Sequence, residues 1–263
     1  MGGCLRTQDT NNDVRQSSYA LLGDCAIYVF PQLQPFLPGI MSQLIQQLDI
    51  NQLTEADEDS AFSVINNACW SCGEIALQLC KSTVLPYLTT LPTDSSIASG
   101  MTPYVEKLYL SLLEIIQSPK VPSSVTENAA VALGRLGLGS CDELSPHLES
   151  FAYPFLDALA KVAETDEKDT ALKGFCMVVG RNPGAMESCL VPFFRNIARY
   201  KEPSPDLREL FRQVCVALQG DRRLMANDLQ TVTGYRSFIA DFDGFLGQIP
   251  QQDQNAIRLN YLQ

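Results

Sequence analysis

The sequence predicts an all-α protein built from repeated pairs of helices. The first observation is that apolar residues recur every three or four positions, which is the period of one buried helix face. The second is that two short motifs alternate along the chain, which is typical of repeat proteins. The third is that no convincing run of alternating apolar and polar residues predicts a β-strand.

The helical period is clearest in three segments, at residues 105–116, 148–162 and 207–218. In the last of them, the larger apolar residues fall three, four, seven, eight and eleven positions after Leu207. Such spacing places them on a single stripe of an α-helix, where they pack against neighbouring helices. Each of these segments is therefore predicted to be an amphipathic helix.

Two motifs alternate along the chain. One ends in a glycine followed by a charged residue, and the other joins a proline to an aromatic or aliphatic pair. The first occurs at Gly23-Asp24, Gly73-Glu74, Gly134-Arg135 and Gly180-Arg181, and the second at Pro35-Phe36-Leu37, Pro103-Tyr104-Val105, Pro154-Phe155-Leu156 and Pro192-Phe193-Phe194. A glycine late in a helix either ends that helix or lets a neighbouring helix approach closely, and for Gly134 and Gly180 both interpretations stay open.

The spacing of the motif glycines predicts the type of repeat. They lie 50, 61 and 46 residues apart. Two polar loop insertions, near residues 50–60 and 89–101, account for the longer intervals, and without them the period approaches the roughly 40–47 residues of HEAT-type helix pairs. We therefore predict that residues 1–263 form a single HEAT-repeat α-solenoid with about five to six helix pairs.

Composition narrows the class of function. The 263 residues are 46% hydrophobic and 19% charged, with 30 acidic against 19 basic side chains and a net charge of −11. Such a chain has enough apolar residues for a core, and it is not predicted to be disordered. The excess of acid disfavours nucleic acid as a partner and favours a basic protein or peptide. No apolar run is long enough to predict membrane insertion.

Candidate chemistry is sparse. The nine cysteines are an odd number scattered among apolar residues, which favours reduced thiols in the core. Cys69 and Cys72 form a C-x-x-C motif without a preceding strand or a second ligand pair, so we interpret them as core residues rather than as a redox or zinc site. With His147 as the single histidine and no phosphate-binding loop, the sequence predicts neither an enzyme nor a bound cofactor or metal.

The candidate binding site centres on Trp70, the only tryptophan. Asn66 lies one helical turn before it, and the glycine motifs align Trp70 with Val131 and bring Asn128 to a similar place in the next pair. Such a group suits an extended peptide, because amides bond a peptide backbone while apolar surfaces receive side chains. The alternative is that Trp70 fills the core between repeats and that the asparagines satisfy local backbone groups.

Several segments resemble a known family of receptors. They are similar, in family order and over nearly the whole chain, to the transportins, which are nuclear import receptors of the importin-β family. The similar segments are residues 13–24, 66–74, 127–137, 167–176 and 206–208. Family members are much longer, so the resemblance implies that this chain corresponds to the C-terminal part of one.

The resemblance also implies a fold and a function. It implies a right-handed superhelix whose second helices line a concave cargo surface, and cargo proteins whose nuclear localisation signals combine an upstream basic or hydrophobic part with a Pro-Tyr element. Trp70 corresponds to the family tryptophan that contacts the upstream part, Val131 to its aliphatic partner, and Asn66 and Asn128 to nearby polar contacts.

The resemblance further implies partners and a location. Ran GTPase and nucleoporins are the other implied partners, although the main Ran surface and the Pro-Tyr pocket belong to earlier repeats of the family. The implied location is the cytoplasm and the nucleus, with shuttling through the nuclear pore. The alternative function is a structural HEAT-repeat scaffold that assembles a protein complex on its concave face.

Overall fold

The computed structural model describes residues 11–53, 58–84, 100–219 and 242–262, and within these ranges it contains helices and no strand. This confirms the predicted all-α class. The α-helices of the described residues are α1 (Asn12–Tyr28), α2 (Phe30–Leu33), α3 (Leu37–Gln47), α4 (Glu58–Val84), α5 (Val105–Gln117), α6 (Ser123–Gly139), α7 (Cys141–Leu144), α8 (Leu148–Lys161), α9 (Asp166–Arg181), α10 (Leu190–Arg199), α11 (Pro205–Gln219), α12 (Phe242–Leu246) and α13 (Gln251–Tyr261).

The long helices form two layers. The first helices of the pairs are α3, α5, α8 and α10, and the second helices are α4, α6, α9 and α11, with α1 placed as a further second helix. The second helices stack side by side, and the contacts of α1 with α4, α4 with α6, and α6 with α9 are the most extensive in the structure. Helix α13 packs against both α10 and α11. The chain is therefore an all-α HEAT-type solenoid, while its total number of pairs and its handedness stay predictions.

The core lies between the two layers and is rich in aromatic rings. Phe155 of α8 stacks on Phe175 of α9, with ring centroids 4.7 Å apart. Phe175 also contacts Phe151 and Phe193, and Phe193 contacts Phe211 of α11. Burial of such large apolar side chains is the main source of stability in a helical stack. One continuous core therefore joins successive pairs.

Glycine and alanine set the distance between the second helices. A Cβ atom on Gly134 of α6 would lie 2.5 Å from the carbonyl oxygen and 2.8 Å from the Cα of Ala171 in α9, and one on Gly174 would overlap the backbone of Gly134. Only residues without a side chain fit there. Helix α6 continues to Gly139, and α9 continues through Gly180 to Arg181. The interpretation as a helix terminator is therefore wrong for Gly134, whose close approach to α9 is confirmed, whereas Gly180 is the next-to-last residue of α9.

The predicted insertions are only partly described. Residues 50–52 form a 3₁₀ turn, and α4 begins at Glu58, within the segment predicted as the first insertion. The buried stripe of α4 starts at Ala61 and Phe62, and the turn before that stripe is already helical. Most of the insertion at 89–101 lies outside the described residues. In the part of the chain that is described, no helix is long and apolar enough to span a membrane.

Candidate peptide-binding site

Two bonds fix the register of α4 against α6. Asn128 Nδ2 of α6 donates to Asn66 Oδ1 of α4 at 3.0 Å, and Arg135 Nη1 donates to Glu74 Oε1 at 2.5 Å. The first pair is separated by 62 residues in sequence and the second by 61, so the two helices run in parallel. Trp70 lies one turn from both Asn66 and Glu74, and Val131 occupies the corresponding place on α6. The structure therefore brings Trp70 and Val131 to one level.

Helix α9 places side chains beside those of α4 and α6, at the same heights along the parallel helices. Arg135 Nε donates to Thr170 Oγ1 of α9 at 2.9 Å, which places Thr170 beside the Glu74–Arg135 pair. Glu167 lies one turn before Thr170, at the level of Trp70. Trp70 Nε1 donates to Glu167 Oε1 at 3.0 Å, across 97 residues of sequence. We call Asn66, Trp70, Asn128, Val131 and Glu167 together the Trp70 surface.

The Trp70–Glu167 bond gives the Trp70 surface its shape. Helix α6 stands between α4 and α9 in the stack, and its other side is covered by α5 and α8. The bond therefore passes over the side of α6 that faces away from the first helices. The bond thus forms a bridge from α4 to α9 across this side of α6, at the level of Val131.

The indole of Trp70 is held by the protein at one face and at its N–H edge. A Cβ atom on Gly23 of α1 would overlap Cζ3 from above the ring, so one face of the six-membered ring lies directly against the α1 backbone. At the N–H edge, Nε1 is bonded to Glu167. The side chain is nevertheless partly exposed. Trp70 thus packs between α1 and α4, as the alternative interpretation predicts, and also retains a surface that a ligand can contact.

The asparagine pair keeps hydrogen-bonding capacity. Asn128 Nδ2 bonds Asn66 Oδ1, and no other described residue bonds either side-chain amide. One NH₂ group and one carbonyl oxygen therefore remain available, and exchanging O and N on both residues would leave the same inventory. Both residues are partly exposed. One donor beside one acceptor is the complement of a peptide group.

Val131 contributes little surface of its own. Its side chain is 4% exposed, at the level that the Trp70–Glu167 bond crosses. A ligand on the Trp70 surface would contact Val131 only through the small exposed part of its side chain, beneath the Trp70–Glu167 bond. Of the four predicted site residues, the structure therefore places three at the surface and one below it.

Glu167 is the site residue that the sequence did not reveal. Three of residues 166–169, in the first turn of α9, are acidic. Acidic side chains at this place are stabilised by the positive end of the helix dipole. The glycine motif also aligns Gly180 with Gly134, whereas the structure packs Ala171 against Gly134. Close packing needs a small residue, and alanine meets that need as well as glycine does. The motif register is therefore wrong for α9, and this concealed the level of Glu167.

Cys69 and Cys72 lie in the core of α4, and both side chains are 0% exposed. Burial raises the pKa of the Cys72 thiol to about 12 and that of Cys69 well above its ordinary value. Such thiols are protonated at neutral pH, and the thiolate is the form that attacks disulfides or binds metal. The interpretation of these cysteines as core residues is confirmed. Within the described ranges, no cluster of His, Cys, Asp and Glu is suited to hold a metal ion.

The chain is similar to import receptors from several organisms, although no protein-family model matches it. It is 35% identical over 224 residues to importin subunit beta-2 of Schizosaccharomyces pombe, which covers 85% of this chain and 21% of that protein. It is 30% identical over 221 residues to transportin-1 of Homo sapiens, with 84% and 21% covered, and 31% identical over 224 residues to transportin-1 of Oryza sativa subsp. japonica, with 83% and 22% covered. The chain spans about a fifth of the length of these curated relatives.

Proposed function

Because this chain is a transportin-like array of HEAT-type helix pairs, we propose that it binds cargo segments with nuclear localisation signals as part of a nuclear import receptor. The observation that carries the proposal is the partly exposed Trp70, set beside an amide pair that has one donor and one acceptor to spare. The bound part of the signal is the basic or hydrophobic segment upstream of a Pro-Tyr element.

The proposed contacts divide between backbone and side chains. The Asn66–Asn128 pair bonds one peptide group of an extended segment, which fixes the position of the backbone. A side chain of that segment lies on the face of Trp70 that is turned away from α1, because the other face packs on Gly23 and the N–H edge is bonded to Glu167. The net charge of −11 attracts basic segments over a longer range. Val131, 4% exposed, adds a small apolar contact below.

The proposal extends to the whole receptor by resemblance. Ran GTPase and nucleoporins are its further partners, and its location is the cytoplasm and the nucleus, between which it shuttles. In this proposal the main Ran surface and the Pro-Tyr pocket lie in other repeats. Binding and release of cargo require no catalysis by this chain.

A structural scaffold is the second candidate, and the packing of the Trp70 ring on Gly23 is the observation that favours it. Trp70 is the only tryptophan, so its fluorescence reports on this site alone. A blue emission that a soluble quencher does not reach, and that no localisation peptide changes, favours the scaffold. Emission that the quencher reaches and that a bound peptide protects supports the receptor.

The direct test is a fluorescence anisotropy titration of a labelled basic-hydrophobic localisation peptide against the protein and two variants. Trp70→Ala is expected to weaken binding by about 2 kcal/mol, or about 30-fold, as aromatic residues at the centre of an interface do. Tyr153→Ala is the matched control, because Tyr153 is an aromatic residue of α8 that is 58% exposed and distant in register from the Trp70 surface. Equal affinity of all three proteins, with circular dichroism showing an intact fold, would contradict the proposed site.

A further inference from the structure

Glu167 is a carboxylate that pairs with no cation among the described residues. Its Oε1 accepts the bond from Trp70 Nε1, and it forms no ion pair with any described residue. The two lysines of α9 are engaged elsewhere: Lys173 pairs with Asp169 at 3.0 Å, and Lys168 donates to the carbonyl of Val162 and lies over the ring of Tyr200. Among the described residues, none pairs with the charge of Glu167, which is partly buried at the Trp70 surface.

The bond from Trp70 also prepares the ring for a cation. An acceptor at the N–H edge of an indole pulls the hydrogen outward and leaves more negative potential on the ring face. That face already attracts cations through its quadrupole, and tryptophan does so more strongly than the other aromatic residues. Because one face of the ring packs on Gly23 and the N–H edge is bonded to Glu167, the opposite face is the part that a ligand meets.

We propose that Trp70 and Glu167 together bind a single arginine side chain of the cargo segment. The guanidinium lies on the indole face and donates to the second oxygen of Glu167, which no described residue occupies. A planar guanidinium stacks on an aromatic ring and donates in its own plane at the same time, whereas the ammonium of lysine is a compact, strongly hydrated charge. This inference rests on the proposed function and assigns Glu167 as the residue that determines specificity at the Trp70 surface.

The test uses the full chain and three labelled peptides. They share one basic-hydrophobic sequence with a single arginine, which is replaced in the second by citrulline, its neutral counterpart, and in the third by lysine. Glu167→Gln is the informative variant, because the amide oxygen still accepts from Trp70 Nε1 while the charge is lost. Asp166→Asn is the matched control, since it removes a charge from the adjacent, exposed position of α9.

The wild-type protein is expected to bind the arginine peptide about tenfold more tightly than the citrulline peptide, and more tightly than the lysine peptide. Glu167→Gln is expected to reduce the arginine-to-citrulline preference to about twofold, whereas Asp166→Asn retains it. Quenching or shifting of the Trp70 emission by the arginine peptide reports that the side chain occupies the indole face.

The outcomes separate the two proposals. If all peptides bind in a Trp70-dependent manner with equal affinity, or if Glu167→Gln keeps the full preference, the assignment of Glu167 is wrong and the proposed function stands. A stronger preference for lysine overturns the stacked arginine in the same way. If none of the peptides binds the folded wild-type protein, the proposed function and the arginine site fail together.

Discussion

The two layers of the solenoid are held together by different kinds of contact. The first helices α5 and α8 meet through large aromatic side chains, as the edge-to-face contact of Tyr109 with Phe151 shows, and Phe155 and Phe193 reach Phe175 of the second layer. The second helices α4, α6 and α9 meet through glycine and alanine, and polar bonds connect one helix to the next. The solenoid thus combines a layer of apolar packing with a layer in which helix backbones approach closely and directional hydrogen bonds connect the helices.

The contrast between the two layers indicates how a repeat protein can fix the relative positions of side chains on neighbouring helices. Apolar contact is non-directional, so burial in the first layer supplies stability without selecting one exact register. A hydrogen bond or a backbone contact at a glycine is satisfied at one register only. The Trp70 surface needs three side chains from three helices at one level, and only the second layer provides that. In the proposed binding site, the bonds of the second layer therefore serve binding as well as stability.

The largest effect is expected from Arg135→Ala, which breaks the buried bond of the second layer. The side chains of Arg135 and Glu74 are 3% and 7% exposed, and their charged atoms are 2.5 Å apart. Removing one partner leaves the other charge buried and unpaired, which costs about 3–5 kcal/mol in the free energy of unfolding. Urea denaturation measures that loss.

The matched control for Arg135→Ala is the double variant Glu74→Leu with Arg135→Met. Replacing both members of a buried pair by apolar residues of similar volume is often neutral or stabilising. We expect the double variant to be at least as stable as the wild-type protein but to bind localisation peptides more weakly, because the register of the three helices is less fixed. Equal losses of stability in the single and double variants would contradict the role of the buried charge.

The sequence predicts the two layers unequally. Helical periodicity is local, so the first helices follow from spacing alone, as the segments 105–116 and 148–162 show. The second layer depends on which residues of distant segments share a level. The glycine motif that α4 and α6 share aligns Trp70 with Val131, as the structure does, but it does not predict that Val131 is buried.

Glu167 escaped prediction for a physical reason. Its bond to Trp70 spans 97 residues, and its level is set by the contact of Ala171 with Gly134. Any small residue at position 171 satisfies that contact, so the residue type at this position is not distinctive in the sequence. An acidic residue in the first turn of a helix is moreover explained by the helix dipole alone. The register of α9 required the structure.

A smaller effect is expected from Gly134→Ala, which tests the close approach of α6 and α9. The added Cβ would lie 2.5 Å from the carbonyl oxygen of Ala171, and a backbone atom cannot move aside as a flexible side chain can. Overpacking of this kind costs about 1–3 kcal/mol. Gly39→Ala is the matched control, because Gly39 lies in α3 with nothing within 4 Å of its Cβ position. That variant should gain about 0.5–1 kcal/mol from helix propensity, as thermal denaturation will show. Destabilisation of both variants by the same amount would contradict the packing argument.

The smallest change in the pH dependence of stability near neutral pH is expected from substituting a buried thiol of the second layer. In alkaline solution the same substitution should have a clear effect. Burial raises the pKa of Cys72 from its ordinary value of 9.0 to about 12. Above about pH 9 the unfolded chain loses this proton while the folded protein keeps it, so the free energy of unfolding falls by about 1.4 kcal/mol per pH unit until about pH 12. Below pH 9 both states are protonated, and the thiol adds no pH dependence. Cys72→Ala should therefore lower the alkaline slope of stability by about that amount, measured by urea denaturation at several pH values, with the slope at neutral pH unchanged.

Ile75→Val, one turn further along α4 and also fully buried, serves as the control: it should cost about 0.5–1.5 kcal/mol at every pH and leave the slope as it is. An identical slope in the wild-type protein and Cys72→Ala would show that the thiol is exposed or ionised in the folded state, against its place in the second layer.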